Sequence, residues 1–205
     1  MRLIAVTKTY PTEDVLHLAA LGVGDVGENR DQEAAPKAAA AAAAGADLTW
    51  HFIGQLQRNK ARSVARYAAW VHSVDRPELA DALSRARAAT DAAPLDVLVQ
   101  VSLDGQVHRG GVVPADVPAL ADRIAAAPAL RLAGVMAVAP LDAAGDELVR
   151  AFAALARTSE AIRRIYPDAI AISAGMSGDL ELAVAHGATH VRIGSALLGT
   201  RPKLR

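Results

Sequence analysis

The chain has 205 residues, 22 basic and 22 acidic side chains, no cysteine and 52% apolar residues. That length buries the core of one domain, and the zero net charge gives no electrostatic case for nucleic acid or an anionic membrane. The absence of cysteine excludes disulfides, thiolate chemistry and cysteine-based zinc sites, and the six histidines fall in no metal-ligand spacing. No signal peptide or membrane-length apolar run is visible, so a cytoplasmic protein is expected. Only four of the 22 basic residues are lysine, so Lys8, Lys37, Lys60 and Lys203 each call for an explanation.

Apolar runs and helical segments alternate along the chain. Leu3 to Thr7 is a short, partly β-branched run that predicts a strand, and a helix follows from Pro11 or Thr12 to Leu21 with Gly22 as its stop. A very short strand is expected over Val23 to Val26, then a helix over Ala34 to Ala44 stopped by Gly45. Strands over 50–53 and 70–74 are each followed by a helix, Asn59 to Ala68 and Pro77 to Ala89, the second with proline in its first turn. In the second half the expected strands are 95–101, 130–138, 169–172 and 190–193. Their helices are 115–127, 146–165 and 179–186, with only Ser195 to Leu198 after the last strand.

Strand–helix repeats imply a parallel sheet, and eight of them favour a single (β/α)8 TIM-type barrel over residues 1–205, with an open doubly wound sheet as the alternative. The chain begins inside its first strand and has almost no crossover after its last, so one side of the barrel is expected to lie uncovered. The alanine-rich segment 34–44 reads as a surface helix.

In such a barrel the site lies at the C-terminal ends of the strands. Lys8 follows the first strand on the same face as Ile4 and Val6, at the top of an apolar shaft. Position alone leaves two roles open: a lysine reaching into solvent, or a desolvated amine able to attack a carbonyl. Ser173-Ala174-Gly175-Met176-Ser177-Gly178-Asp179 and Gly194-Ser195 follow the last two strands, where backbone N–H groups and serine hydroxyls can bind phosphate. The same residues equally suit ordinary turn and capping chemistry. Arg192 points the same way as Gly194, so it faces the interior and needs a partner there, an internal carboxylate or a ligand atom. Met136 can line a ligand or simply pack the core.

Gly22-Val23-Gly24-Asp25-Val26-Gly27 matches a dinucleotide fingerprint in letters but not in context, because these glycines end a helix and enclose a very short strand. The histidines read as structural, and Arg58, Lys60, Arg62 and Arg66 as a solvated basic face without aromatic interleaving.

These segments together resemble the pyridoxal-phosphate homeostasis protein family (the YggS/PROSC family). The resemblance is carried by Ala5 to Pro11, Gly27-Glu28-Asn29-Arg30, Trp50 to Lys60, Arg109-Gly110-Gly111-Val112, Leu132 to Met136, Ser173 to Leu180 and Val191 to Ser195, in order over essentially the whole chain. It implies an alanine racemase N-terminal barrel-like fold and bound pyridoxal 5′-phosphate (PLP). It implies an internal aldimine on Lys8, phosphate held by Ser173, Ser177, Gly194 and Ser195, and Arg192 near the pyridine nitrogen. Asn29, Met136 and Met176 are implied to line the pocket.

An arginine beside that nitrogen, in place of an acidic partner, suits holding PLP better than using it as an electron sink. The family is thought to buffer and deliver PLP without an established reaction, which makes apo-PLP enzymes the implied recipients and a monomer or weak homodimer the implied form. The alternative is a PLP-dependent amino-acid racemase-like enzyme. A racemase of this fold draws a second acid–base group from a tyrosine on a separate β-domain, and Tyr10 is the only tyrosine near Lys8 in sequence. The family usually carries a helix before the first strand, and this sequence lacks it; exposed apolar barrel surface is the expected consequence.

Overall fold

The computed structural model describes residues 1–199, the Val107 side chain excepted. Lys203 lies outside the described residues. Eight parallel strands close into a barrel in the order in which they occur in the chain. They are β1 (Arg2–Val6), β2 (Asp25–Glu28), β3 (Thr49–Phe52), β4 (Trp70–Val74), β5 (Leu95–Gln100), β6 (Leu130–Met136), β7 (Ala171–Ser173) and β8 (His190–Ile193). The helices between them are α1 (Thr12–Ala20), α2 (Asp31–Ala43), α3 (Ala61–Tyr67), α4 (Pro77–Ala88), α5 (Val117–Ala125), α6 (Gly145–Ile165) and α7 (Leu180–Ala185), and α8 (Ser195–Leu198) follows β8. This is the (β/α)8 barrel that the alternation predicts. The open sheet is ruled out by the pairing of β1 with β8, Ile4 opposite Arg192.

Strand periodicity sends alternate residues to the two sides of the sheet. The outward set packs under the helices as the main core, with Val71, Val97, Val135, Leu79, Leu83, Ile124 and Phe152 all buried. The inward set fills the barrel. Leu98, Ala133, Met136 and Ala171 cluster there with Trp70 and Val138. The interior also holds Ile4 and Val6 of β1 and a polar set: His51, His72, Ser173, His190 and Arg192 are all buried on inward positions.

Two strands lie two residues or so further along than the apolar pattern predicts. β2 runs over Asp25–Glu28, not 23–26, because Val23 still belongs to the end of α1, donating its N–H to the Leu18 carbonyl. Asp25 starts the strand and turns inward to Arg2 and His51. β7 runs over Ala171–Ser173, not 169–172, because Ala169 and Ile170 form a turn against Tyr166 and Asp168. In both cases the strand takes in a polar residue that the barrel interior satisfies. Helix α2 begins at Asp31, earlier than predicted, and one of its faces is buried through Ala34, Lys37, Ala38 and Ala41. A surface helix is therefore only half the description.

Candidate functional site

The segment after β1 carries Lys8 and is clamped from behind. Thr7 is fully buried, its hydroxyl donates to Glu28 Oε1 at 2.7 Å, and its carbonyl accepts from Lys37 Nζ at 2.8 Å. Lys37 also meets Glu28 Oε1 at 2.7 Å, a buried ion pair. Burial pushes the Glu28 carboxyl above its ordinary value, and the Lys37 and Thr7 hydrogen bonds oppose that rise. The chain then turns sharply: Thr9 has φ +71°, a left-handed conformation that a β-branched residue seldom adopts, and its N–H donates to Glu33 Oε2 at 3.0 Å. Both backbone and side chain on the N-terminal side of Lys8 are thus fixed, and Lys8 itself is half-buried at the barrel mouth.

Arg192, on β8, is 5% exposed. Its Nη1 donates to Ser173 Oγ at 2.7 Å and its Nη2 to the Ala137 carbonyl at 2.9 Å. Burial lowers its pKa to about 10, with Asp179 working the other way, so it stays a cation at neutral pH. Among the described residues it forms no ion pair. Ser173 is completely buried, its hydroxyl shared between Arg192 and His72 Nδ1 at 2.9 Å.

Ser177 and Ser195 are closer to solvent, 3.3 Å apart between hydroxyl oxygens, and the Ala196 N–H points at Ser177 Oγ from 3.4 Å. The turn that carries Ser177 is seated on β8: the Arg192 N–H donates to the Gly175 carbonyl at 2.9 Å. Gly175 has φ +92°, and a Cβ there would meet Ala183 Cβ at 2.8 Å, so only glycine fits this crossing. Gly194 packs on Val6 of β1, which brings the β8 turn beside the segment leading to Lys8.

Met136 ends β6 and is 1% exposed, packed in the interior cluster. Asn29 follows β2, half-buried, and lines an open cleft of about 740 Å³ with Glu33, Gln55, Lys60, Arg76 and Gly110. Met176 is 41% exposed and lines a different, smaller hollow of about 300 Å³ with Val138, Leu148 and Asp179. Arg192, Ser173 and Met136 are therefore brought together in the interior, and Ser177, Gly194 and Ser195 at the rim above β7 and β8; Asn29 and Met176 stand to either side. Lys60, on the basic face, lies 3.8 Å from Asp31.

Glu28 and Lys37 carry no role that single residues announce; the scarcity of lysine points to Lys37, and the place next to Asn29 points to Glu28. The hydroxyls of all three tyrosines have protein partners. Tyr10 OH donates to the Gly199 carbonyl at 2.9 Å, Tyr67 OH reaches Asp31 at 3.5 Å, and Tyr166 OH donates to Asp122 at 2.6 Å.

A barrel with a lysine after its first strand and a buried arginine on its last belongs to a definite class: the family model for the alanine racemase N-terminal domain matches residues 1–202. Within that class the relatives are specific. A pyridoxal phosphate homeostasis protein of Mycobacterium tuberculosis is 46% identical, covering 98% of this chain and 83% of its own length. One of Pseudomonas aeruginosa is 44% identical over 97% of this chain and 84% of its own. The solved structure of PipY from Synechococcus elongatus without PLP superposes with a TM-score of 0.90 at 36% identity, covering 97% of this chain and 93% of PipY. PipY has also been solved with PLP bound. The chain belongs to the pyridoxal phosphate homeostasis protein family.

Proposed function

We propose that residues 1–205 form a single PLP-binding barrel domain that holds PLP at the C-terminal mouth and takes part in its intracellular homeostasis, as a cytoplasmic carrier without a reaction of its own. The observation that carries this reading is Arg192: a buried guanidinium without a carboxylate partner among the described residues suits an electron-rich ligand atom. Its two protein hydrogen bonds engage two of five N–H donors, which leaves donors for a ring nitrogen. The donor set around it fits the rest of the cofactor. Lys8 supplies the amine for a Schiff base with the aldehyde, releasing water. Ser177, Gly194 and Ser195 supply the hydroxyl and backbone groups for the phosphate; Ser173, expected beside them, is completely buried with its hydroxyl engaged by His72 and Arg192, and in this reading it serves the site by holding Arg192. Met136 closes the interior below the ligand, with Asn29 and Met176 at the two sides.

The names of the relatives and the PLP-bound form of PipY support the same assignment. A donor such as Arg192 leaves the ring nitrogen unprotonated, which favours retention over carbanion chemistry. Racemisation needs a second acid–base group, and every tyrosine of this chain is hydrogen-bonded elsewhere. The recipients in this reading are PLP-dependent apo-enzymes, and the protein acts as a monomer or weak homodimer without nucleic acid or membrane.

The test is functional. PLP-loaded protein is mixed with an apo-enzyme and, separately, with L-alanine. The proposal expects restored activity in the apo-enzyme and no racemisation above that of free PLP. Racemisation by the wild-type protein that disappears in Lys8→Ala would establish the racemase reading instead.

A further inference from the structure

The polar interior contains an ordered series of contacts. Asp25 begins β2, at the end of the barrel opposite Lys8, with Arg2 Nη1 at 3.2 Å from its carboxylate. Asp25 Oδ1 lies 2.8 Å from His51 Nε2, and His51 Nδ1 lies 3.0 Å from His72 Nε2. His72 Nδ1 lies 2.9 Å from Ser173 Oγ, which takes a hydrogen bond from Arg192 at 2.7 Å. Five side chains from β2, β3, β4, β7 and β8 thus connect the far end of the barrel to the guanidinium assigned to the ligand.

The two ends dictate the direction of every bond between them. An ionised carboxylate only accepts, so His51 carries its proton on Nε2. In a neutral ring, His51 Nδ1 then accepts, which requires His72 to be protonated on Nε2. His72 Nδ1 accepts in turn, and among the described residues the donor facing it is the Ser173 hydroxyl. Ser173 Oγ is left to accept from Arg192, which can only donate. No atom along the series faces a like partner.

The surroundings support neutral rings. Burial lowers the pKa of both His51 and His72, and for His72 the neighbouring His51, Arg192 and His190 act in the same sense. Around His51, Asp25 and Asp96 favour the charged form and Arg2 opposes it. His190, on β8, is itself held low, to about 4, chiefly by burial.

We propose that Asp25, His51, His72 and Ser173 form a one-directional hydrogen-bonded chain that fixes Arg192 for its ligand, so that Asp25, at the opposite end of the barrel, is a positioning residue of the site. A chain that runs from cation to anion polarises each bond through the next. A proton added to either imidazole destroys the order: His72 would then donate to Ser173 Oγ, leaving the serine hydrogen without an acceptor, and a proton on His72 itself also sets a second positive charge facing Arg192. The chain itself is independent of any cofactor; its consequence for a ligand rests on the PLP reading above.

Long-range proton–nitrogen NMR of the ¹⁵N-histidine-labelled, ligand-free protein reads the tautomers directly. At pH 7 both His51 and His72 are expected as neutral rings protonated on Nε2. Asp25→Ala removes the terminal acceptor and is expected to give His72 a mixture of tautomers, while Asp25→Asn keeps an acceptor oxygen and restores the wild-type pattern. A wild-type His72 protonated on Nδ1 or on both nitrogens overturns the chain, as does an unchanged His72 pattern in Asp25→Ala. In a parallel PLP titration, Asp25→Ala is expected to raise the dissociation constant about tenfold, the equivalent of one hydrogen bond, with Asp25→Asn close to wild type. Equal affinity in all three proteins overturns the positioning role. Absence of PLP binding by the wild-type protein overturns the PLP reading and leaves the tautomer result to decide the chain alone.

Discussion

Lys37 and Glu28 meet where a charge has almost no water. Both are buried where α2 meets β2, and their contact fixes the carbonyl and hydroxyl of Thr7, the residue before Lys8. Removing one member of a buried pair is strongly destabilising, because the remaining charge is left uncompensated. Lys37→Met is therefore expected to lower unfolding free energy by about 3–5 kcal/mol. The double variant Glu28→Gln/Lys37→Met is expected to recover most of that loss while still weakening PLP binding. Denaturant melts of the single and double variants, paired with PLP titrations, check both parts. A double variant that binds PLP like wild type would reduce the pair to a purely structural role.

At this scale the sequence was legible where a residue is rare or its position is forced. Period-two reasoning places Lys8 at the mouth and Arg192 in the interior beneath it, and the turns after the last two strands place Ser177 and Ser195 at the rim. His51 and His72 read as structural in the sequence because a histidine on a strand announces nothing about its partners. Their roles come from registers that bring β3 and β4 opposite β7, which no local pattern encodes.

Among the elements, the shifts of β2 and β7 have a common cause. Hydrophobic periodicity locates strands by their apolar residues, whereas this barrel places Asp25 and Ser173 on inward positions and satisfies them by hydrogen bonds. The six other strands agree with the pattern to within about two residues, as do most helices. Glycine is informative where strands nearly touch. Gly134, at φ +148°, lies so close to β7 that a Cβ would sit 1.9 Å from the Ala171 carbonyl oxygen. Gly134→Ala is expected to cost about 2–4 kcal/mol through displacement of β7. Gly24→Ala, at an exposed position with no atom within 4 Å of the added Cβ, is expected to change stability by about 0.5 kcal/mol or less. Thermal melts of the two variants separate a specific backbone contact from a general effect of losing glycine; equal losses would contradict the assignment.

Across the whole molecule, the barrel carries a hydrogen-bonded polar set in its interior and its main apolar core between sheet and helices. Among the described residues, no helix is long and apolar enough to cross a membrane. The interior makes stability depend on pH. His51, His72 and His190 are all held below their ordinary value, chiefly by burial. The unfolded chain therefore binds more protons than the folded one once the pH drops below about 6.5, and stability falls with acidification. For each histidine still neutral when folded, the loss is about 1.4 kcal/mol per pH unit below that point. The midpoint of denaturant unfolding is expected to decrease steadily from pH 7 to pH 5, and His72→Gln to flatten the decrease. A midpoint constant over that range would contradict the neutral interior.

Two chemical features unite residue, element and molecule: an amine after β1 and a buried cation on β8, held in one mouth by a closed sheet. The measurement that tests this most directly is the visible absorption spectrum of the purified protein titrated with PLP, followed by borohydride reduction and peptide mass mapping. The account predicts a saturable Schiff-base band and a single pyridoxyl group on Lys8. No band, or modification scattered over Lys37, Lys60 and Lys203 with Lys8 unmodified, would contradict it.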